Sequence, residues 1–172
     1  MGQHQSVSAG SPIERISVET GLTYHGAIKA FEAAIGRVDI DEARELVDRR
    51  ASKAEIDAAM SRMAGSIGLM LFATFDQGDV ASLEGDPIHC RLCLVGNPAI
   101  AAEIVRIDER ASLYVPFRVA IYQPRNEDKA VISYDRPSSS LGSLQVDALG
   151  AYGTMLDEKM DRVLKSVTAG LS

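Results

Sequence analysis

Only two cysteines, Cys90 and Cys93, occur in the 172 residues, so no disulfide framework is expected to hold the chain together. Positive charge is also short: 18 Lys and Arg against 24 Asp and Glu leave a formal net charge of −6. Nucleic-acid binding without sequence preference and attachment to an anionic membrane both need a positive field, so neither partner is expected. No apolar run approaches the ~20 residues that a membrane-spanning helix requires. Residues 1–11 are polar, carry Gly and Ser, and lack the apolar centre of a signal peptide. They read as a flexible tail, and a cytoplasmic location is the resulting expectation.

What is present suits a folded domain. A chain of this length buries roughly two-thirds of the surface exposed on unfolding, enough to fold without a metal or a crosslink. Residues 12–172 are therefore read as a single domain. Alternation of apolar and polar residues marks half-covered strands at 13–20, 89–95 and 115–122. Residues 69–75 are almost all apolar and read as a buried central strand. After a polar connection, residues 130–134 return as a hairpin partner.

Helical spacing appears between these strands. Thr23 caps a segment whose Ala27, Ile28, Phe31, Ala34 and Ile35 share one face before Gly36 ends it. Residues 38–66 read as a helical insertion, with Asp41 and Glu42 in a first turn and Ser52 with Glu55 forming a capping box. Asn97-Pro98 opens a helix to about residue 106, and a last helix is expected over about 146–168. Residues 79–87 read as a loop or short helix, and 138–142 as a loop. The order predicts an α+β fold, a mixed and mainly antiparallel sheet with helices packed on one face.

Candidate chemistry gathers on the strands. If the apolar sides of the strands meet the helices, Arg15, His89, Arg91, Arg118 and Tyr122 collect on the opposite face. Arg and Tyr together suit recognition of a carboxylate or phosphate, or a polar subunit interface; a solvated face is the plainer reading. Gly96-Asn97-Pro98 offers free amides at a helix start for an anion, though it is equally a good stop-strand, start-helix sequence. Asn97, Arg91, Arg118 and Tyr122 are accordingly the candidate ligand-binding residues. Asp76, at the end of the central strand, and His89 are the candidate bases. Their plainer readings are a turn-forming aspartate and a structural histidine.

Other familiar arrangements fail on spacing or context. Cys90 and Cys93 lie three apart in a strand, so they point to opposite faces, and no second pair completes a zinc site. No metal or cofactor is expected. Residues 138–140 are serines outside any Gly-x-Ser-x-Gly turn, so none is read as a nucleophile.

Four segments carry a likeness. LMLFATFDQG at 69–78, LVGNP at 94–98, LYVPFRVAIY at 113–122 and ISYDRP at 132–137 follow in this order. Together they resemble the bacterial domain of unknown function 302 family over nearly the whole chain. The resemblance implies an α+β fold and a homodimer, and it implies no activity. Many relatives have His where Gln77 stands, and some have Cys where Gly96 and Phe117 stand. Metal, haem or thiol chemistry through those positions is therefore not implied here.

Three readings follow. The first is a homodimeric protein binding a small molecule, with anions among the candidates, between the polar sheet face and the Asn97 helix start. The second is a cofactor-independent acid/base enzyme with Asp76 or His89 as base and Arg118 and Tyr122 holding the substrate. The third is a structural or protein-interaction module.

Overall fold

The alternating segments pair into one six-stranded sheet, seen in a computed structural model that describes residues 10–169. Of the tail read at 1–11, residues 1–9 lie outside the described residues. In chain order the strands are β1 (Arg15–Glu19), β2 (Gly36–Arg37), β3 (Met70–Phe75), β4 (Cys90–Gly96), β5 (Phe117–Tyr122) and β6 (Val131–Asp135). The helices are α1 (Tyr24–Ala34), α2 (Ile40–Asp48), α3 (Lys53–Ala64), α4 (Gln77–Ala81), α5 (Pro98–Ile107), α6 (Pro137–Gly142) and α7 (Gly150–Thr168). Across the sheet the order is β1-β6-β5-β4-β3-β2. Every neighbouring pair is antiparallel except β2 with β3, which is parallel. The fold is α+β: an open, mixed, mostly antiparallel sheet.

One face of the sheet holds the main core. Cys93, Val95, Val119, Ile121, Ile132 and Tyr134 project from it against Ala27, Ile28 and Phe31 of α1 and Leu156, Met160, Val163 and Val167 of α7. Three- and four-residue spacing on both helices puts these side chains on single stripes, which is why the two helices lie on the sheet. A second, smaller cluster joins the α2–α3 pair to the β2–β3 edge through Val38, Leu46, Ala59, Met60, Met63, Ala64 and Met70. Among the described residues, no helix is long and apolar enough to cross a membrane.

The caps read from sequence form as hydrogen bonds. Thr23 accepts from the Gly26 amide; Asp39, a cap that was not read from sequence, accepts from the amides of Asp41 and Glu42. At α3 the Ser52 amide and hydroxyl donate to Glu55 at 2.9 and 2.8 Å, and the Arg49 guanidinium donates at 2.7 Å. Arg49 first, then Ser52, hold the Glu55 carboxyl at about 2, below its ordinary 4.5. A depressed carboxylate stabilises the fold above its unfolded value and loses that contribution as pH falls through the folded one. Amide protection at the start of α3 is therefore expected to decline between pH 4.5 and about 2, with the Glu55 carboxyl titrating near 2 by NMR.

Several short elements depart from the sequence reading. Residues 138–142, expected as a loop, lie in α6, which starts with Pro137 at its first turn. Gly36–Arg37 forms a two-residue strand too short to show any period. The final helix begins at Gly150 after a tight 3-10 turn at Asp147–Leu149.

Candidate functional site

Strand register decides what gathers on the face turned away from α1 and α7. Arg15 pairs with Asp135, Ser17 with Ser133, Ser133 with Ala120, and Leu92 with Ala120. Leu94 pairs with Arg118 and Cys90 with Tyr122. Residues two apart share a face, so Arg15, Ser17, Arg118, Tyr122, Ser133 and Asp135 stand together. They line a shallow cavity of about 380 Å³ whose floor is Leu92 and Ala120.

Its hydrogen bonds are unevenly shared. Arg15 holds Asp135 through two nitrogens at 2.9 and 2.8 Å. The Arg118 guanidinium reaches the same carboxylate only at 4.0 Å and is 73% exposed. The Ser17 and Ser133 hydroxyls lie 2.7 Å apart, and Ser133 donates to the Tyr122 hydroxyl at 3.3 Å. Two guanidiniums against one carboxylate leave the cavity wall with an excess positive charge, although the whole chain is acidic.

His89 and Arg91 do not join this face, which corrects the single polar face expected from alternation. Both sides of β4 are apolar: Leu92 and Leu94 on one, Cys93 and Val95 on the other. Cys93 and Val95 pair with Val119 and Phe117, whose side chains are in the core, so they turn inward and take Arg91 with them. There Arg91 donates to Asp76 at 2.5 Å and to Glu32 at 3.3 Å. His89 stacks on Tyr24, ring centres 5.1 Å apart, and His25 lies edge-on to the same ring at 5.2 Å. Burial raises the Tyr24 phenol above its usual 10.0, against the opposing pull of Arg91. Asp76 and Arg91 are thus brought together, and His89 lies on Tyr24, all apart from Arg118 and Tyr122.

Asn97 is placed elsewhere again. Its side-chain oxygen accepts from the Ala99 and Ile100 amides at 3.0 and 3.4 Å, and its amide donates to the Gly68 carbonyl at 3.1 Å. Both ends are thus occupied in starting α5 and holding the loop before β3. It does not line the 380 Å³ cavity. Sequence reasoning missed Ser17, Ser133 and Asp135 as members of the site. The only signal for them was a polar side on β1 and on its neighbour β6 at matching two-residue intervals.

Cys90 and Cys93 fall on opposite faces, and both thiols are free. Burial pushes the Cys93 thiol up to about 12, while Cys90 is half-buried. Alkylation of the folded chain near pH 8 is expected to label Cys90 first, with Cys93 protected until unfolding; mass spectrometry of the peptides reads both. Among the described residues, no group of three or more His, Cys, Asp or Glu side chains could hold a metal ion.

Fold and cavity together define a single α+β domain with one helix-covered sheet face and one concave, polar face. Residues 47–167 match the family model described as Domain of unknown function DUF302, and the chain belongs to that family. The crystal structure of an uncharacterized conserved DUF302 protein from Bacillus stearothermophilus is similar, with a TM-score of 0.63 and 13% sequence identity. The alignment covers 89% of this chain and 97% of that one, and at this identity it shows a shared fold. A search of curated proteins finds no match.

Proposed function

We propose that the chain binds a small anionic molecule on the open sheet face, with Arg118 as the principal contact. The observation that carries this reading is the unequal pairing of the two arginines. Arg15 closes on Asp135, whereas Arg118 keeps its planar fork of donors uncommitted over the cavity. Such a fork matches the two oxygens of a carboxylate or phosphate. Tyr122, Ser17 and Ser133 add neutral donors beside it. The 380 Å³ concavity lies in the size range of small-molecule sites. An exposed ion pair contributes little, so swinging Arg118 from Asp135 to a ligand costs little.

Native mass spectrometry of undialysed protein, with and without denaturation, tests for a retained molecule. Titration with acetate and inorganic phosphate, followed by NMR, tests the site itself. Arg118→Ala is expected to weaken anion binding at least tenfold; equal binding by the variant sinks the proposal.

A second reading makes the same face a homodimer contact. Phe75, 50% exposed, pairs across β3–β4 with Leu92, so an apolar strip borders the polar cavity. A second copy set on that strip would cover the cavity. Sedimentation separates the cases: Leu92→Glu converts a dimer built on this face to monomer and leaves any other assembly intact. The acid/base reading has less support, because Asp76 is committed to Arg91 and neither it nor His89 lines the cavity.

A further inference from the structure

We infer that the anion recognised at Arg118 is the head of an amphipathic monocarboxylate whose apolar chain or ring lies along β4 and the turn before β5. This rests on the anion-binding reading above and names its ligand class. The carrying observation is a second cavity of about 220 Å³ that shares Arg118 and Asp135 with the first. Its remaining wall is Leu94, Leu113, Tyr114, Pro116, Phe117 and Ser140, carbon apart from two hydroxyls and the backbone. The two cavities adjoin at Arg118 and Asp135 and form a trough, with the Ser17, Ser133 and Tyr122 hydroxyls at one end and a larger share of carbon at the other.

Register produces this gradient. Leu94 sits directly opposite Arg118 on the neighbouring strand, so apolar surface begins beside the cation. Leu113, at the end of a 3-10 turn spanning Glu109–Leu113, is 77% exposed. A large aliphatic side chain held beside a cavity gains contacts when a ligand chain covers it. Tyr114 is held in the wall by a hydrogen bond between its hydroxyl and that of Ser143 at 2.9 Å. The apolar end is therefore built from fixed elements.

Charge selects the head group. The trough contains two guanidiniums and one carboxylate, and Arg15 already answers Asp135. One uncommitted positive charge matches one carboxylate. A dianionic phosphate would place its second charge beside Asp135 in a chain of net charge −6. A head without a tail would leave Leu94 and Leu113 uncovered.

The test is a titration of the full chain with acetate, butanoate, hexanoate, octanoate and inorganic phosphate, followed by NMR. Affinity is expected to rise with chain length, roughly fourfold per methylene buried, until the apolar end is full. Octanoate should bind more tightly than phosphate. Arg118→Ala should weaken acetate and octanoate alike by at least tenfold, and Leu113→Ser should cut the octanoate-to-acetate affinity ratio at least tenfold. Leu113 is exposed, so that variant folds, and a melting curve checks it. Equal binding of acetate and octanoate, tighter binding of phosphate, or an unchanged ratio in Leu113→Ser overturns the inference while the anion site stands. Octanoate binding that ignores Arg118→Ala also overturns it, as non-specific apolar adsorption. No binding by any of the five anions removes the anion site and the inference together.

Discussion

Gly36→Ala is expected to destabilise the folded chain by about 3 kcal/mol or more. A Cβ at that position would lie 1.7 Å from the Met63 carbonyl oxygen, 2.7 Å from its carbon and 2.9 Å from the Ala64 carbonyl carbon. All three are backbone atoms, so no rotamer change relieves the clash. Nor can the strand step aside, because the Gly36 amide donates to the Leu69 carbonyl at 2.9 Å and Gly36 pairs in register with Met70. The glycine is caught between the sheet edge and the last turn of α3. Moving either would open the cluster of Met60, Met63, Ala64 and Met70 that joins α3 to the sheet. Urea unfolding checks this, with Gly142→Ala as control. That glycine ends α6, and a Cβ there meets nothing within 4 Å, so its substitution should be neutral or slightly stabilising. A Gly36→Ala midpoint equal to that of the unmodified chain would show that β2 does not pass this close to α3.

The same glycine shows where sequence reading stopped. Gly36 was legible as a helix stop, and α1 does end at Ala34. That the next two residues form a parallel strand was not, because two residues carry no period and their partner lies more than thirty residues away. Long-period elements were legible for the opposite reason. The apolar stripe of α7, the alternation of β5 and the caps at Thr23, Ser52 and Asn97 are all local patterns with local causes. The site was half legible. Arg118 and Tyr122 were placed correctly because β5 has one plainly apolar side, Phe117, Val119 and Ile121. In β4 both sides are apolar, and the side with two leucines looked like the core. Pairing with β5 settled it the other way, and His89 and Arg91 moved to the helix-covered face. Which face a strand buries is a property of its neighbours when its own two sides are alike. Asp135 was not legible as a site residue, because its partner Arg15 lies 120 positions earlier.

Phe31→Ala is expected to cost about 3–5 kcal/mol, whereas Leu113→Ala should change stability by no more than about 0.5 kcal/mol. Phe31 is fully buried on the α1 stripe, within the core shared with α7 and the covered face of the sheet. Truncation there leaves a void among neighbours fixed on three sides, and that void collapses poorly because the strands beneath it are tied to one another by their ladders. Leu113 touches no comparable surroundings and remains mostly in water. Chemical denaturation of the two variants, with unchanged dependence on denaturant concentration, reads both values. The contrast bears on function, because residues that hold a fold together are poorly free to respond to a ligand. Here the stabilising contacts are concentrated on the side of the sheet covered by α1 and α7. The opposite side keeps an uncommitted guanidinium, three hydroxyls and an exposed leucine. A similar loss from both substitutions would mean that the open face is structural, and the anion site would then lose its physical basis.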